Sequence, residues 1–310
     1  MKNETRSTAG AAASFCAALL LFGGCSRPAA KPAPRPQPPP ATVVREAPKP
    51  PPVPVPAPVG PPAVSKPVEV RLTLGRMLLI TGNAGDDAQP ILAQAGKTLD
   101  DVEQFLKFPP SSAPVTLRLF DTHSAMREWM AAASLGKSDS DAASFRTAQG
   151  AVIVLVRQKS AQETSRLARC GVARVAVMER FPEAPAWTRD GLARYFENGV
   201  PYDRPNAAAL KLIQGEGEDG AEGALSDLVS APAGKPLDSK SVARAWALTH
   251  FLVTQTEDGP AALRTYLDQA RAGKQAVEAF TGAFGVAPDE LEPAWRLHLA
   301  RLEASAKDGN

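Results

Sequence analysis

Hydrophobic and polar residues alternate at the start of the expected folded region, near residue 68, and this alternation predicts a β-strand. Residues 68–74 alternate as in a strand with one buried face, and an apolar run follows at 77–81. Gly75 and Arg76 lie between these runs, so the two strands are expected to form a hairpin. A third strand is predicted at 115–120, and the apolar run 151–156 indicates a strand that is covered on both faces.

Hydrophobic residues at helical spacing dominate the rest of the folded region. The first helix is expected to be capped at Asp86 or Asp87 and to end near Pro109. Residues 134–149 are small and polar without a strong period, and we expect a loop there. The other expected helices are a short one through Met130 and those at 164–181, from Asp190 onward, and at 207–213, 242–254, 261–268, 276–284 and 289–302. The predicted fold class is α+β, with a small N-terminal β-sheet followed by a mainly helical C-terminal part.

The N-terminal 24 residues have the features of an export signal. Two basic residues, Lys2 and Arg6, precede the small and apolar run 9–22, which is too short to span a membrane. The run ends in Leu-Phe-Gly-Gly followed by Cys25, which is similar to a bacterial lipoprotein cleavage box. Cys25 is therefore the expected site of lipid attachment. The alternative is an ordinary secretory signal in which this cysteine is incidental.

A proline-rich segment separates the signal from the folded region. Residues 26–67 contain 17 prolines among 42 residues, a composition typical of a stiff, solvated polyproline spacer. Its basic residues either contact an anionic envelope polymer or only keep the spacer solvated. The predicted order is a signal peptide at 1–24, the lipidated cysteine and linker at 25–67, one folded domain at 68–305 and a disordered tail at 306–310.

Charge is unevenly distributed along the chain. The first 67 residues carry 8 Lys/Arg and 2 Asp/Glu, which leaves 27 basic and 31 acidic residues for 68–310. The folded part therefore gives no electrostatic basis for binding nucleic acid. Cys16 would leave with the signal and Cys25 would carry lipid. Cys170 would then be the free thiol of the mature chain, and no intramolecular disulfide could form.

Two helices joined by a proline-containing turn, at 164–199, carry the most specific pattern of the chain. Residues 185–195 are P-A-W-T-R-D-G-L-A-R-Y, and residues 242–252 are V-A-R-A-W-A-L-T-H-F-L. These resemble two phrases of the peptidase MA-like, or gluzincin, zinc metallopeptidases: P-x-W-x-x-E-G-L-A-x-Y and Y-x-x-x-W-A-L-x-H-F-L. In that family the first helix carries H-E-x-x-H. Its histidines bind zinc, its glutamate is the general base, and a carboxylate of the next helix is the third ligand.

The resemblance implies a gluzincin-like fold from which the metal site has been removed. The family's spacing assigns the H-E-x-x-H positions to Cys170, Gly171, Val172, Ala173 and Arg174. Asp190 stands at the third-ligand position. Since both histidines and the glutamate are missing, no metal or other cofactor is expected. By the same resemblance, the strand at 151–156 borders a peptide-sized cleft and can pair with an extended peptide.

These features favour an exported, lipid-anchored binding or scaffolding module of the cell envelope that is not an enzyme. Its partners would be the membrane, through the N-terminal lipid, and an envelope protein or peptide. Ser26 differs from the aspartate associated with inner-membrane retention, so resemblance to lipoproteins implies the outer membrane, facing the periplasm. One alternative is an active hydrolase or metallopeptidase with a non-standard site of Cys170, Asp190 and a histidine. Another is a structural lipoprotein whose cleft is filled.

Each residue of the degenerate site has two interpretations. Arg174 either pairs with Asp190 where the metal would have been, or extends to solvent. Asp190 could also be only a helix N-cap. Cys170 is either a nucleophile or, as we favour, a small buried hydrophobe. The candidates for lining the cleft are Trp187, Tyr195 and His250, although the first two are most simply core residues.

Two other features have ordinary explanations. None of the histidines at 123, 250 and 298 has a second histidine at helical spacing, so each is expected to be a surface or hydrogen-bonded core histidine. The acidic loop 215–220 lacks the spaced ligands of a calcium loop and is expected to be solvated.

Replacement of Cys25 tests the lipid anchor. In a Cys25→Ala variant we expect no incorporation of labelled fatty acid and a soluble or uncleaved exported form, because the acceptor thiol is gone. Cys16→Ala is the matched control, since that residue would leave with the signal. Equal labelling of the Cys25→Ala variant and the unaltered chain would contradict the lipoprotein interpretation.

Overall fold

The computed structural model describes residues 69–308, except for residues 84, 110, 215–223 and 257. The described residues fall within one compact unit. The predicted signal peptide, Cys25, the proline-rich linker and the acidic loop 215–220 lie outside the described residues and stay predictions. No helix of the described part is both long and apolar enough to cross a bilayer.

A five-stranded mixed sheet forms the N-terminal part of this unit. Its strands are β1 (Val70–Leu74), β2 (Met77–Thr81), β3 (Val115–Phe120), β4 (Ala142–Thr147) and β5 (Gly150–Val156). Their order across the sheet is β1-β2-β3-β5-β4. The three central strands are mutually parallel, whereas β1 and β4 run antiparallel to their neighbours at the two edges. The predicted hairpin through Gly75 and Arg76 is confirmed as the β1–β2 pair.

Ten helices account for most of the other described residues. They are α1 (Ala88–Phe105), α2 (His123–Ala132), α3 (Ala161–Arg180), α4 (Ala186–Glu197), α5 (Ala207–Gln214), α6 (Leu225–Val229), α7 (Ser239–Gln255), α8 (Gly259–Arg271), α9 (Ala276–Phe284) and α10 (Pro288–Asp308). The expectation of a small N-terminal sheet followed by a mainly helical part is confirmed.

Strand β4 corrects the expected loop at 134–149. Its sequence is A-A-S-F-R-T, and five of its six residues are only partly buried. A strand at a sheet edge is held by backbone hydrogen bonds to one neighbour and needs few large apolar side chains. The composition therefore gave little sign of a strand, although every residue of β4 has a partner on β5.

The helices differ from the prediction most clearly at three places. Helix α4 begins at Ala186, directly after Pro185, so Asp190 lies in its second turn and does not cap it. Pro185 fixes a backbone conformation that suits the residue before a helix. Helix α6 was not expected because it has only five residues. Helix α10 reaches Asp308 and so includes the first residues of the expected tail.

The sheet separates two hydrophobic clusters. Ile153 and Leu155 of β5 belong to the main core together with residues of α1 and α3. Val154 and Val156 face the opposite way and pack with Met126 and other residues of α2, as the twofold alternation of a strand requires. Helix α3 therefore lies on one face of the sheet and continues directly into the helical part of the core.

Candidate functional site

Helices α3 and α4 bring Arg174 and Asp190 together at the place indicated by the sequence. Nε of Arg174 donates to Oδ1 of Asp190 over 2.9 Å. The Asp190 side chain is only 8% exposed, and that of Arg174 is 24% exposed. The expected pairing is confirmed, and Arg174 does not simply extend to solvent.

A second arginine, which the sequence reasoning missed, also contacts this carboxylate. A terminal nitrogen of Arg189 lies 3.4 Å from Oδ2 of Asp190. Its other terminal nitrogen donates to the carbonyl of Ala233 over 3.2 Å. Asp190 is thus held between two guanidinium groups, and Arg189 joins α4 to the segment that precedes α7.

Gly171, which the sequence resemblance assigns to the glutamate position of H-E-x-x-H, is packed directly against the sheet. A Cβ atom built on Gly171 would lie 2.6 Å from Cγ2 of Ile153 and 3.5 Å from Oγ of Ser144. Real Cβ atoms do not approach other atoms at the first of these distances. A side chain here would require Ile153 or α3 to shift, so the packing as it stands has no room for a glutamate.

Cys170 is a buried thiol without a hydrogen-bond partner among the described residues. Burial raises the pKa of the thiol above its usual value, and the nearby positive charge of Arg174 opposes this rise only in part. A nucleophilic cysteine needs the opposite shift and a base within hydrogen-bonding reach. The structure agrees with the expected small hydrophobe.

Helix α4 carries a second buried carboxylate, which was not expected from the sequence. The Glu197 side chain is fully buried and forms ion pairs with Arg166 of α3 and Arg194 of its own helix. Its backbone carbonyl accepts a hydrogen bond from Nε of Arg169 over 2.8 Å. Two turns of helix separate the two carboxylates of α4, and two turns also separate their α3 partners. This spacing is the signal that could have revealed the second pair.

The Arg174–Asp190 pair lies in a cleft of about 370 Å³. One wall is the start of β4 with the residues before it, and the other is formed by residues 233, 234, 236, 237 and 242. The lining residues are Ser138, Ser140, Ala142, Ala143, Ser144, Arg174, Met178, Arg189, Asp190, Ala233, Gly234, Pro236, Leu237 and Val242. Trp187, Tyr195 and His250, the expected cleft candidates, are absent from this lining.

All three of those residues are buried in the core. Nε1 of Trp187 donates to the hydroxyl of Tyr266 over 3.0 Å, and the ring of Tyr195 packs edge-on against that of His250. Since α4 is anchored to the C-terminal helices by its aromatic face, its other face is left to line the cleft. Trp187 and Tyr195 of the segment 185–195 therefore serve for packing.

The expected cleft-bordering strand requires a correction. Strand β5 is paired on both sides, with β3 and with β4, so it has no free edge for a peptide. The edge strand beside the Arg174–Asp190 pair is β4. The error follows directly from the missed strand at 142–147.

His250 and His298 form a buried, hydrogen-bonded pair. Nε2 of His250 lies 2.8 Å from the carbonyl of Asp203 and must carry a proton to bond with it. Its Nδ1 then accepts a hydrogen bond from Nε2 of His298 over 3.0 Å. Burial lowers the pKa of both rings, and that of His298 falls to about 4. Both are satisfied core histidines. His123, in contrast, is exposed and pairs with Asp141.

The residues at the expected metal positions do not fit zinc. Zinc needs deprotonated nitrogen, oxygen or sulfur ligands, whereas Arg174 supplies a cation and Cys170 a thiol with a raised pKa. Within residues 69–308, excluding the undescribed positions, no three His, Cys, Asp or Glu side chains are grouped so as to hold a metal ion.

Removal of the Asp190 carboxylate tests how strongly the pair supports the fold. We expect Asp190→Ala to lower the free energy of unfolding by about 3 kcal/mol, because two partly buried guanidinium groups lose their counter-ion. Asp268→Ala is the matched control. Asp268 also pairs with two arginines but is 38% exposed, so we expect a loss of about 1 kcal/mol or less. Equal losses in urea denaturation would contradict the structural role of Asp190.

The histidine pair predicts a pH-dependent stability. Unfolded histidine binds a proton near pH 6.5, whereas His298 in the folded chain does so only near pH 4. The free energy of unfolding should therefore fall as pH is lowered from about 6.5 to about 4, by roughly 3 kcal/mol from this residue.

Urea denaturation at several pH values measures this dependence. His298→Gln should flatten the fall, whereas the exposed His123→Gln should keep the dependence of the unaltered chain. An unchanged fall in the His298→Gln variant would show that other groups cause the acid sensitivity.

Comparison with known proteins identifies no family or relative for this chain. No protein-family model matches this chain, and a comparison with curated proteins finds no match. Function is therefore inferred from the residues of the α3–α4 crossing and of the cleft that contains them.

Proposed function

We propose that this is an exported, lipid-anchored protein whose gluzincin-like domain has lost hydrolysis and binds a partner in the cell envelope. The N-terminal signal and Cys25 support the anchor, and the outer membrane facing the periplasm is its proposed location. The linker would carry the domain up to about 130 Å from the lipid if fully extended. The proposed partners are the membrane, through the lipid, and an envelope protein or peptide.

The contact between Arg174 and Asp190 is the observation that carries the proposal. In the family that this chain resembles, a zinc ion would join α3 to the carboxylate of α4. Here a guanidinium group makes that connection at 2.9 Å, so the positive charge is supplied by the chain itself. Gly171 leaves no space for the general base. These two observations support a helix crossing that is held by an ion pair and lacks the groups that hydrolysis requires.

The geometry does not favour the alternative enzyme of Cys170, Asp190 and a histidine. Both ring nitrogens of His250 are engaged, by Asp203 and His298. Asp190 is engaged by two arginines. Neither His250 nor Asp190 is available to activate water or the thiol of Cys170, so a binding module remains the proposal.

The free edge of β4 supports binding of an extended peptide. The N–H of Val156 donates to the carbonyl of Asp141. In an antiparallel ladder, hydrogen-bonded and non-hydrogen-bonded residue pairs alternate, so this bond shows which residues of β4 direct their backbone groups toward β5. By this alternation, the N–H and C=O groups of Ala142, Ser144 and Arg146 point away from β5. Two of these residues line the cleft. A peptide laid in the cleft could therefore add a strand to the sheet.

A proline on β4 tests this function. We expect the full-length chain, purified in detergent without added metal, to bind fluorescent end-capped random octapeptides in an anisotropy assay. Ser144→Pro should weaken binding about tenfold, because it removes an outward N–H while sparing the β4–β5 ladder. Ser144→Ala keeps the N–H and should bind like the unaltered chain.

Circular dichroism would verify that the proline variant is folded. Equal binding by the Ser144→Pro and Ser144→Ala variants would contradict pairing at the β4 edge. Stoichiometric zinc in the purified chain, together with peptide hydrolysis that a chelator stops, would contradict the loss of enzymatic function.

A further inference from the structure

Arg174 uses only part of its hydrogen-bonding capacity on Asp190. A guanidinium group has five N–H donors in a planar fork, and the contact with Asp190 involves Nε alone. Within the described part of the chain, the two terminal nitrogens of Arg174 have no hydrogen-bond partner, although they belong to a residue that lines the cleft. These donors remain available to a ligand.

The cleft carries a net positive charge. Its charged lining residues are Arg174, Arg189 and Asp190, so two guanidinium groups share one carboxylate. The other polar side chains of the lining are the hydroxyls of Ser138, Ser140 and Ser144, which add no negative charge. An anionic group would therefore be attracted to this cleft and would find unpaired donors in it.

We infer that the cleft selects an extended segment with an acidic side chain, whose carboxylate is bound by the terminal nitrogens of Arg174. This inference rests on the proposed function, because it names the chemistry of the segment that the β4 edge would bind. Two parallel N–H groups match the two oxygens of a carboxylate, and this geometry distinguishes Glu or Asp from Gln or Asn.

The position of Arg174 favours an acidic side chain over the carboxylate at a chain end. Arg174 comes from α3, which packs on one face of the sheet beside β4 and β5. Side chains of a strand added to β4 would point alternately toward that face and away from it. A side chain directed toward α3 would consequently approach Arg174 while its backbone continues along β4.

Two octapeptide libraries test the selection on the full-length chain in detergent. Both are acetylated and amidated at their ends, and they differ only in having Glu or Gln at the fourth position among otherwise random neutral residues. We expect at least about tenfold tighter binding of the Glu library, because hydrogen bonds to a charged group are stronger than those to a neutral amide. A third library, with Gln and a free C-terminal carboxylate, should bind like the capped Gln library.

Two variants of the site should change this preference in opposite directions. Arg174→Gln should abolish it, whereas Asp190→Asn should increase it, because the competing carboxylate is gone. Arg71→Gln is the matched control, since Arg71 is 64% exposed and lies on β1, at the opposite edge of the sheet. It should keep the preference of the unaltered chain.

The outcomes separate this inference from the proposed function. Equal binding of the capped Glu and Gln libraries would overturn acid selection and leave peptide binding intact. Tightest binding of the library with the free carboxylate would overturn the side-chain assignment in favour of a chain end. Absence of binding by every library would overturn the proposed function and this inference together. An unchanged preference in both site variants would remove Arg174 as the recognition group.

Discussion

Two carboxylates are buried on one face of α4, and such burial is tolerated only where cations face them. Helix α3 provides these cations at matching intervals, with Arg166 opposite Glu197 and Arg174 opposite Asp190. Because α3 and α4 run antiparallel, both ion pairs form at the same relative position of the two helices. A shift of either helix along its axis would break both ion pairs. The sheet, the cleft and the C-terminal helices all contact this helix pair, so their positions depend on that register.

Close packing on both sides of the crossing makes it rigid. Gly171 lets α3 approach β5 without a side chain between them, and a Cβ atom on Gly191 would lie 2.3 Å from Oγ1 of Thr249 on α7. The crossing is thus confined between the sheet and α7. A metal ion could join helices in the same place, but the chain uses side-chain charges for the purpose. The cleft floor is therefore fixed in position, as the proposed binding function requires.

Strand β4, which was not expected from the sequence, determines which backbone and side-chain groups lie at the sheet edge beside the cleft. Without it, β5 would be a sheet edge made of strongly apolar residues, which is a hazard for aggregation. With it, the free edge is short, contains Ser144 and Arg146, and lies beside the cation of Arg174. Backbone pairing can supply affinity that depends little on sequence, whereas the free donors of Arg174 can supply preference for an acidic group. The two contributions come from different elements and can be separated by mutation.

The sequence by itself determined the features that depend on local spacing. Alternation located β1 and β3, and apolar runs located β2 and β5. The helical period located α1, α7 and α9, and the phrase at 185–195 located the Arg174–Asp190 contact. Tertiary structure alone determined the structure and burial of residues for which the local sequence gave an ambiguous pattern or none. Residues 142–147 become a strand only because β5 pairs with them, and Trp187, Tyr195 and His250 are buried because α7, α8 and α10 cover them. Glu197 and Arg189 acquire their roles from helix register and from a loop, since ion pairing depends on distances in space that a linear sequence does not contain.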